Sequence, residues 1–500
     1  MGTVKIGWAE ESILPPGKKV SLAGQFFERI SEYVESDITA TAMAIEADGE
    51  QAVMVSVDIV GLTEAAMDVI REKLVKVTDE IDPMKLIVNV THTHTSLRLA
   101  SPKRKNDNSR DTKAILREFL PEGKDYVPLV TRDDSVVTDE EALEFATDKI
   151  VAAAVAAWHA RKPALFSNEF GRAAVGMCRR VTYDDGSAQM WGDTNTANFV
   201  ALEGGNDSGI ELLYTFDENK NLTGVVANVA CPAQILEQRS FVSADYWGRT
   251  KAILREKFGQ HIFLLGLCGA GGDQCPRDLV RWVDPETPID DPNVRRPNPI
   301  KRKADPSMYD ISGCNRAGKR IANEIASVFE EITDLQSEAV FRHKVIHIDL
   351  PLRKATMAEY NTAVRELEHY IEKNKDKEKF DFEDNARMHV YAGTIARYRY
   401  QQTHEIHTVE YHVLRLGPIA IVTNPFELFL DYGNRIKARS YAEQTFIVQL
   451  CCGAGGYLPT EKAEKAGHYS AYISSGWVGH EAGDLFTREN INEINKMFTE

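Results

Sequence analysis

Apolar runs alternate with stretches of helical spacing along most of the chain. Gln51 to Val60 is mostly apolar, Thr63 to Asp79 repeats apolar residues at three- and four-residue intervals, and Lys85 to Val90 is apolar again. That order predicts a strand, a crossover helix and a second strand. The same theme returns at Gly224 to Ala230, Ala244 to Phe258 and His261 to Leu267, and once more at Pro418 to Thr423, Pro425 to Arg439 and Thr445 to Leu450. Continuous apolar runs of this kind suit strands buried on both faces. Glu140 to Ala160, Ser307 to Ile332, Thr356 to Lys373 and Phe382 to Gln402 show further helical recurrence. The predicted class is α/β, a layered mixed β-sheet core flanked by helices with loop and helical insertions.

Two segments break the pattern. Pro102 to Lys113 is a polar excursion, and Pro276 to Pro306 carries six prolines between 285 and 306 beside an acidic pair and a basic run. The second predicts an irregular Pro-rich insertion over 276–306, suited to roofing a pocket or pairing subunits. Residues 355–402 read as a helical insertion.

Composition narrows the function. Hydrophobic residues make up 43% and charged residues 27%, ordinary for a globular protein. No run reaches the ~18 to 20 apolar residues of a membrane helix. The net charge of -16 disfavours phosphate backbones and anionic bilayers as partners. The expected partner is therefore a small-molecule substrate, with no nucleic acid and no stable membrane association, and a homo-oligomer stays open. The amino terminus lacks a charged head followed by an apolar core, so a cytoplasmic location is expected. Seven cysteines without CxxC spacing suit reduced thiols.

Five apolar runs end in small or polar clusters that strand termination alone does not require. They are Thr91 to Thr95, Cys231 to Gln234, Gly269 to Pro276, Asn424 to Glu427 and Cys451 to Tyr457. In open α/β sheets ligands bind beyond the carboxyl ends of strands, so these ends are expected to converge. His92 and His94, two apart, would face one side of an extended chain. An HxH pair is a weak metal signal by itself, and Glu427 reads equally as a carboxylate favouring a helix start. The Gly269 to Gly272 run is followed by Asp-Gln-Cys-Pro-Arg rather than a helix in a GxGxxG frame, which argues against a dinucleotide site. His404, His407 and His412 mix with apolar positions as a partly exposed strand would. Arg179 and Arg180 suit an anionic group, with solvated surface arginines the commoner alternative.

Taken in order, Ser12-Ile13-Leu14-Pro15-Pro16, Thr91-His92-Thr93-His94, Ser243-Ala244-Asp245-Tyr246, Gly272-Asp273-Gln274-Cys275-Pro276, Pro425-Phe426-Glu427 and Gly456-Tyr457-Leu458-Pro459-Thr460 resemble landmarks of the neutral/alkaline (non-lysosomal) ceramidase family. The resemblance spans most of the chain and implies a single ceramidase-like catalytic domain over 1–500, a divergent bacterial-type member without the carboxy-terminal β-sandwich of the full-length enzymes. It implies zinc as cofactor, with His92, Glu427 and Tyr457 as ligands, His94 acting beside the metal and Tyr469 contacting substrate. The family's second zinc histidine, in an HP dipeptide, falls on Cys231-Pro232, which makes Cys231 the expected fourth ligand. The serine of its GDxSP motif falls on Cys275, and Asp273 joins the substrate-binding group with Arg179 and Arg180.

The implied function is zinc-dependent hydrolysis of an amide (N-acyl) carbonyl in a soluble substrate by metal-bound water. Two alternatives stay open. One is an acyl or glycosyl hydrolase with Cys231 or Cys275 as nucleophile. The other is a non-catalytic member that binds metal or ligand without turnover.

Overall fold

A computed structural model describes residues 2–99, 112–124, 133–280, 310–378 and 380–499. The Pro-rich insertion beyond residue 280 and the polar excursion up to residue 111 lie outside the described residues.

Each of the three strand–helix–strand repeats forms a parallel pair. Glu50–Val57 pairs with Leu86–Val90 across helix Glu64–Val77, and Leu222–Val229 pairs with Phe263–Cys268 across helix Asp245–Phe258. Ile419–Thr423 pairs with Gln444–Val448, joined by the short strand Phe426–Leu428 and helix Leu430–Arg439. Local chemistry explains the helix boundaries. Thr63 Oγ1 accepts from Ala66 N, and Thr138 and Thr356 each form a reciprocal capping box with the glutamate three residues on. On Glu64–Val77 the buried face is Ala66, Met67, Ile70 and Leu74, the larger of which contribute about 2 kcal/mol each on leaving water.

The first two repeats belong to one eight-stranded sheet. Antiparallel strands Lys5–Ser12, Thr39–Ala47, Lys162–Arg172 and Gly209–Asp217 fill it between the two parallel edges. The sheet curls: Ser56 Oγ in its seventh strand donates to Gly266 O in its first at 2.5 Å. Helix Asp139–His159 packs against Lys5–Ser12 closely enough that a Cβ on Gly7 would collide with Ala157 O. The third repeat joins the long hairpin Phe341–Pro351 and Ile406–Leu416 in a four-stranded sheet. Val226, Leu265 and Leu267 of the large sheet share one core with Leu414, Ile421, Phe446 and Val448 of the small one. The result is a mixed α/β layered fold with both sheets partly covered by helices.

The segment read as a helical insertion contains helices Met357–Lys373 and Phe382–Tyr400. Leu367, Ile371, Met388 and Ile395 share a separate apolar cluster with Ile115 and Leu116. Among the described residues no helix is long and apolar enough to cross a membrane.

Candidate functional site

The carboxyl ends of the parallel strands supply the site. Beyond Val90 the chain enters a left-handed turn at His92, with φ of 62°, a backbone state that costs a non-glycine residue on the order of 1 kcal/mol and that tertiary bonds must hold. Two bonds hold it here: Thr93 N donates to Ile59 O at 3.1 Å, and His92 Nδ1 donates to Val60 O at 2.6 Å. The expected extended run through His92 and His94 is therefore absent. The two rings nevertheless meet, 4.9 Å apart between centroids. His94 is fixed from outside. Arg29 donates to its carbonyl at 2.7 Å, and Gly24, at φ of 93°, lies so near that a Cβ would overlap the imidazole. His94 Nδ1 sits 3.3 Å from Glu237 Oε2, and among the described residues its Nε2 has no hydrogen-bond partner.

Glu427 does not start a helix. It is the centre of strand Phe426–Leu428, in parallel register with Tyr457 of Gly456–Leu458, and helix Leu430–Arg439 begins three residues later. The helix start is served instead by Asp273, whose Oδ1 accepts from Leu430 N at 2.9 Å. Glu427 Oε2 lies 3.7 Å from His92 Nε2 and 3.9 Å from Arg179 Nη2. Arg179 is buried; Nη2 also donates to Gly272 O at 2.8 Å and to Tyr457 OH at 3.3 Å. The Tyr469 ring stands edge-on to Tyr457, 5.5 Å between centroids.

Burial sets the protonation states. It pushes the Glu427 carboxyl above its ordinary value, against the pull of Arg179, and raises the phenol of Tyr457 further, helped by Glu427. Burial and the nearby His94 hold His92 well below 6.5, so the ring stays neutral. With its single proton on Nδ1 and committed to Val60 O, His92 presents an unprotonated Nε2 to Glu427.

His92, His94, Arg179, Glu427, Tyr457 and Tyr469 line one cavity of about 280 Å³. Glu237, Gln234, Trp191, His468, Phe26 and Ala386 are among the other residues that line it. Ala386 belongs to the helical insertion, so that segment reaches the site. Glu237 lies three residues beyond the strand-end cluster that closes at Gln234, so the cluster pattern does not single it out. His468 carried no motif of its own; its Nδ1 accepts from Met190 N at 3.1 Å, and burial lowers it to about 4.

Other expected site residues stand apart from the cavity. Arg180 is fully buried and spends its guanidinium on Glu203, at 2.6 and 3.1 Å, and on the carbonyls of Gly467 and Tyr469. It braces the segment that carries Tyr469. Cys275 is buried with its Sγ 3.4 Å from Arg277 O, and burial raises its thiol to about 12. Cys231 is buried too, its thiol pushed far up by burial and by Cys275. Both sulfurs are therefore held as thiols, the weakly nucleophilic form.

The donor chemistry fits a zinc ion in part. A neutral imidazole with a fixed tautomer, a carboxylate and a phenol oxygen meet at His92, Glu427 and Tyr457, which are recognised zinc donor types for the first two. Cys231 does not complete a group with them. Among the described residues, the only three His, Cys, Asp or Glu donors lying within 4.8 Å of one another are Glu410, His412 and Cys452, none of which lines the cavity.

No protein-family model matches the chain, and no curated protein matches it. Solved structures do. The neutral ceramidase from Pseudomonas aeruginosa superposes with a TM-score of 0.67 at 13% identity, over 99% of this chain and 75% of that one. A ceramidase complexed with C2 superposes with a TM-score of 0.66 at 12% identity, over 100% and 76% of the two chains. The chain has a ceramidase-like fold. At this identity the likeness establishes the architecture.

Proposed function

We propose that this chain is a zinc-dependent hydrolase that cleaves the amide bond of a small N-acyl compound, acting as one catalytic unit over 1–500. The observation that carries the reading is the meeting of His92, Glu427 and Tyr457 in one cavity, with the His92 proton fixed on Nδ1. These three residues would hold the ion, and Cys231 is left out of the set. When bound, zinc supplies polarisation of the carbonyl and acidification of water.

The chain's own groups account for the remainder. Arg179, together with the hydroxyls of Tyr457 and Tyr469, offers donors for the charge that develops on the carbonyl oxygen. His94, steadied by Glu237, takes a proton from the attacking water and returns it to the leaving nitrogen. Asp273 and Arg180 act on the scaffold. A cavity of about 280 Å³ is at the small end of ligand pockets and favours a short acyl group over a long-chain lipid.

The test pairs metal analysis with hydrolysis of short-chain and long-chain N-acyl amides. One bound zinc and preferential cleavage of the short substrates are expected. His92→Ala and Glu427→Ala should each lose the metal and about 1,000-fold in activity, roughly 4 kcal/mol, while melting cooperatively. Zinc retained in both variants overturns the assignment. Loss of activity in Cys275→Ser with zinc intact would favour the thiol nucleophile instead.

A further inference from the structure

Away from the cavity, a second buried cluster joins both sheets and carries a proton arrangement the proposed hydrolysis does not use. His343 and His412 lie diagonally across the hairpin Phe341–Pro351 and Ile406–Leu416, with His343 Nε2 2.9 Å from His412 Nδ1. His343 Nδ1 lies 3.0 Å from Gln51 O, and a carbonyl only accepts, so that nitrogen holds a proton. At the other end His412 Nε2 lies 3.0 Å from Glu410 Oε1. Arg71, from helix Glu64–Val77, grips both oxygens of Glu410 at 2.5 and 2.9 Å and keeps the carboxylate ionised, so it too only accepts. With an acceptor at each end and one bond between the rings, the pair must hold three protons. It carries one positive charge, and both nitrogens of His412 are occupied.

Cys452 Sγ lies within 4.8 Å of His412 nitrogen and Glu410 oxygen, and Cys451 Sγ is 3.9 Å from Cys452 Sγ. All these side chains are buried or nearly so, and Cys452 is 4% exposed. A protonated His412 has no lone pair for a metal, which argues against the Glu410, His412 and Cys452 group as a cation site. It is instead the environment that stabilises a thiolate. Hydrogen bonding from Cys451, against burial, and the His412 charge lower Cys452 to about 5.

We propose that Cys451 and Cys452 form a hydroperoxide-responsive dithiol, in which Cys452, paired with the His412 imidazolium, is oxidised first and then closes a disulfide with Cys451. The Cys452 thiolate attacks one peroxide oxygen, the O–O bond breaks, and the departing oxygen leaves as water with the proton of His412. The Cys451 sulfur then attacks the sulfenic sulfur; the S–O bond breaks, and the Cys451 proton leaves with hydroxide as a second water. The dithiol loses two electrons and the peroxide gains them. Adjacent Cα atoms stand about 3.8 Å apart, below the usual span of a disulfide, so the bond is expected to be readily reduced.

The test treats the full chain with hydrogen peroxide at pH 6, 7 and 8, followed by quenching, unfolding, alkylation and peptide mass analysis. Expected is a 2 Da loss (about two hydrogens per disulfide) on the peptide carrying Cys451 and Cys452, reversed by dithiothreitol. Its rate should change less than about twofold across this range, whereas an ordinary thiol gains roughly tenfold per unit. Cys451→Ser should stop at a dimedone-reactive sulfenic acid on Cys452. A rate no faster than that of Cys314, a tenfold rise per pH unit in the wild type, or no sulfenic acid in Cys451→Ser would each overturn the proposal. A metal ion lost on Cys452→Ser but kept in His92→Ala would do so as well. The wild-type pH series decides the matter even if a variant fails to fold.

Discussion

Two buried clusters in this molecule use nearly the same parts and reach opposite chemistry. At the cavity, His92 stands 3.7 Å from Glu427, with Tyr457 as the third acidic group; between the sheets, His412 stands 3.0 Å from Glu410, with Cys452 as the third. The difference lies in what the second ring nitrogen does. His92 Nδ1 gives its proton to Val60 O, so the ring is neutral and Nε2 is open. His412 Nδ1 gives its proton to His343, while Nε2 gives another to Glu410, so the ring is charged. The partners one bond further out, a backbone carbonyl in one case and an Arg71-clamped carboxylate in the other, decide whether a histidine can bind a metal or a thiolate.

The two glutamates give the sharpest way to break this comparison. Both Glu410 oxygens are held at 3.0 Å or less, and although burial alone would raise it, hydrogen bonds from His412 and Arg71 bring it down to about 2. The cation beside Glu427 Oε2, Arg179 Nη2, is farther off at 3.9 Å, and the His92 Nε2 at 3.7 Å is unprotonated. Glu410→Gln should therefore destabilise the chain by about 3 kcal/mol, since it strands Arg71 and His412 as buried charges. Glu427→Gln, compared as metal-free protein, should shift stability by less than about 0.5 kcal/mol. Urea unfolding of the two variants measures this, and equal losses would mean the clusters are not electrostatically distinct.

Much of this was legible in the chain because it is local. All three strand–helix–strand repeats follow from apolar period, and Thr63 announces the crossover helix of the first within four residues, as Thr138 and Thr356 do for two helices outside the repeats. The strand-end clusters pointed to the cavity for the same reason. What stayed hidden depends on partners remote in sequence. His412 looked like one position of a half-exposed strand, because His343 and Arg71 lie 69 and 339 residues from their contacts. Arg180 read as a free cation, yet its partners lie up to 290 residues away. Glu427 read as a helix start because periodicity does not show that Asp273 already serves that end.

A smaller effect sharpens the catalytic half of the comparison. Burial alone would raise Glu237, but hydrogen bonding and charge from His94 lower it, so it is a carboxylate facing the imidazole. Glu237→Gln keeps the shape and removes the charge. The expected outcome is a 10- to 100-fold fall in kcat with KM and zinc content unchanged, the usual cost of losing a carboxylate that orients a working histidine. Zinc loss in this variant would place Glu237 with the metal ligands instead.

The smallest effect concerns pH and tests the proton count between the sheets. Burial and the His412 charge lower His343 to about 3, against an ordinary 6.5, with Lys85 adding to the shift and Glu410 opposing it. Between those values the unfolded chain binds a proton that the folded chain does not, so stability is present above 6.5 and is lost as pH falls toward 3. Glu410 adds the same sign in a lower window, from 4.5 down to about 2. A single such group contributes at most about 1.4 kcal/mol per pH unit. His343→Asn should accordingly flatten the fall in unfolding free energy between pH 6 and 5 by up to that slope, leaving the Glu410 window below it. A variant as steep as the wild type would mean that His343 is charged in the folded chain, and that His412 passes its second proton back to it.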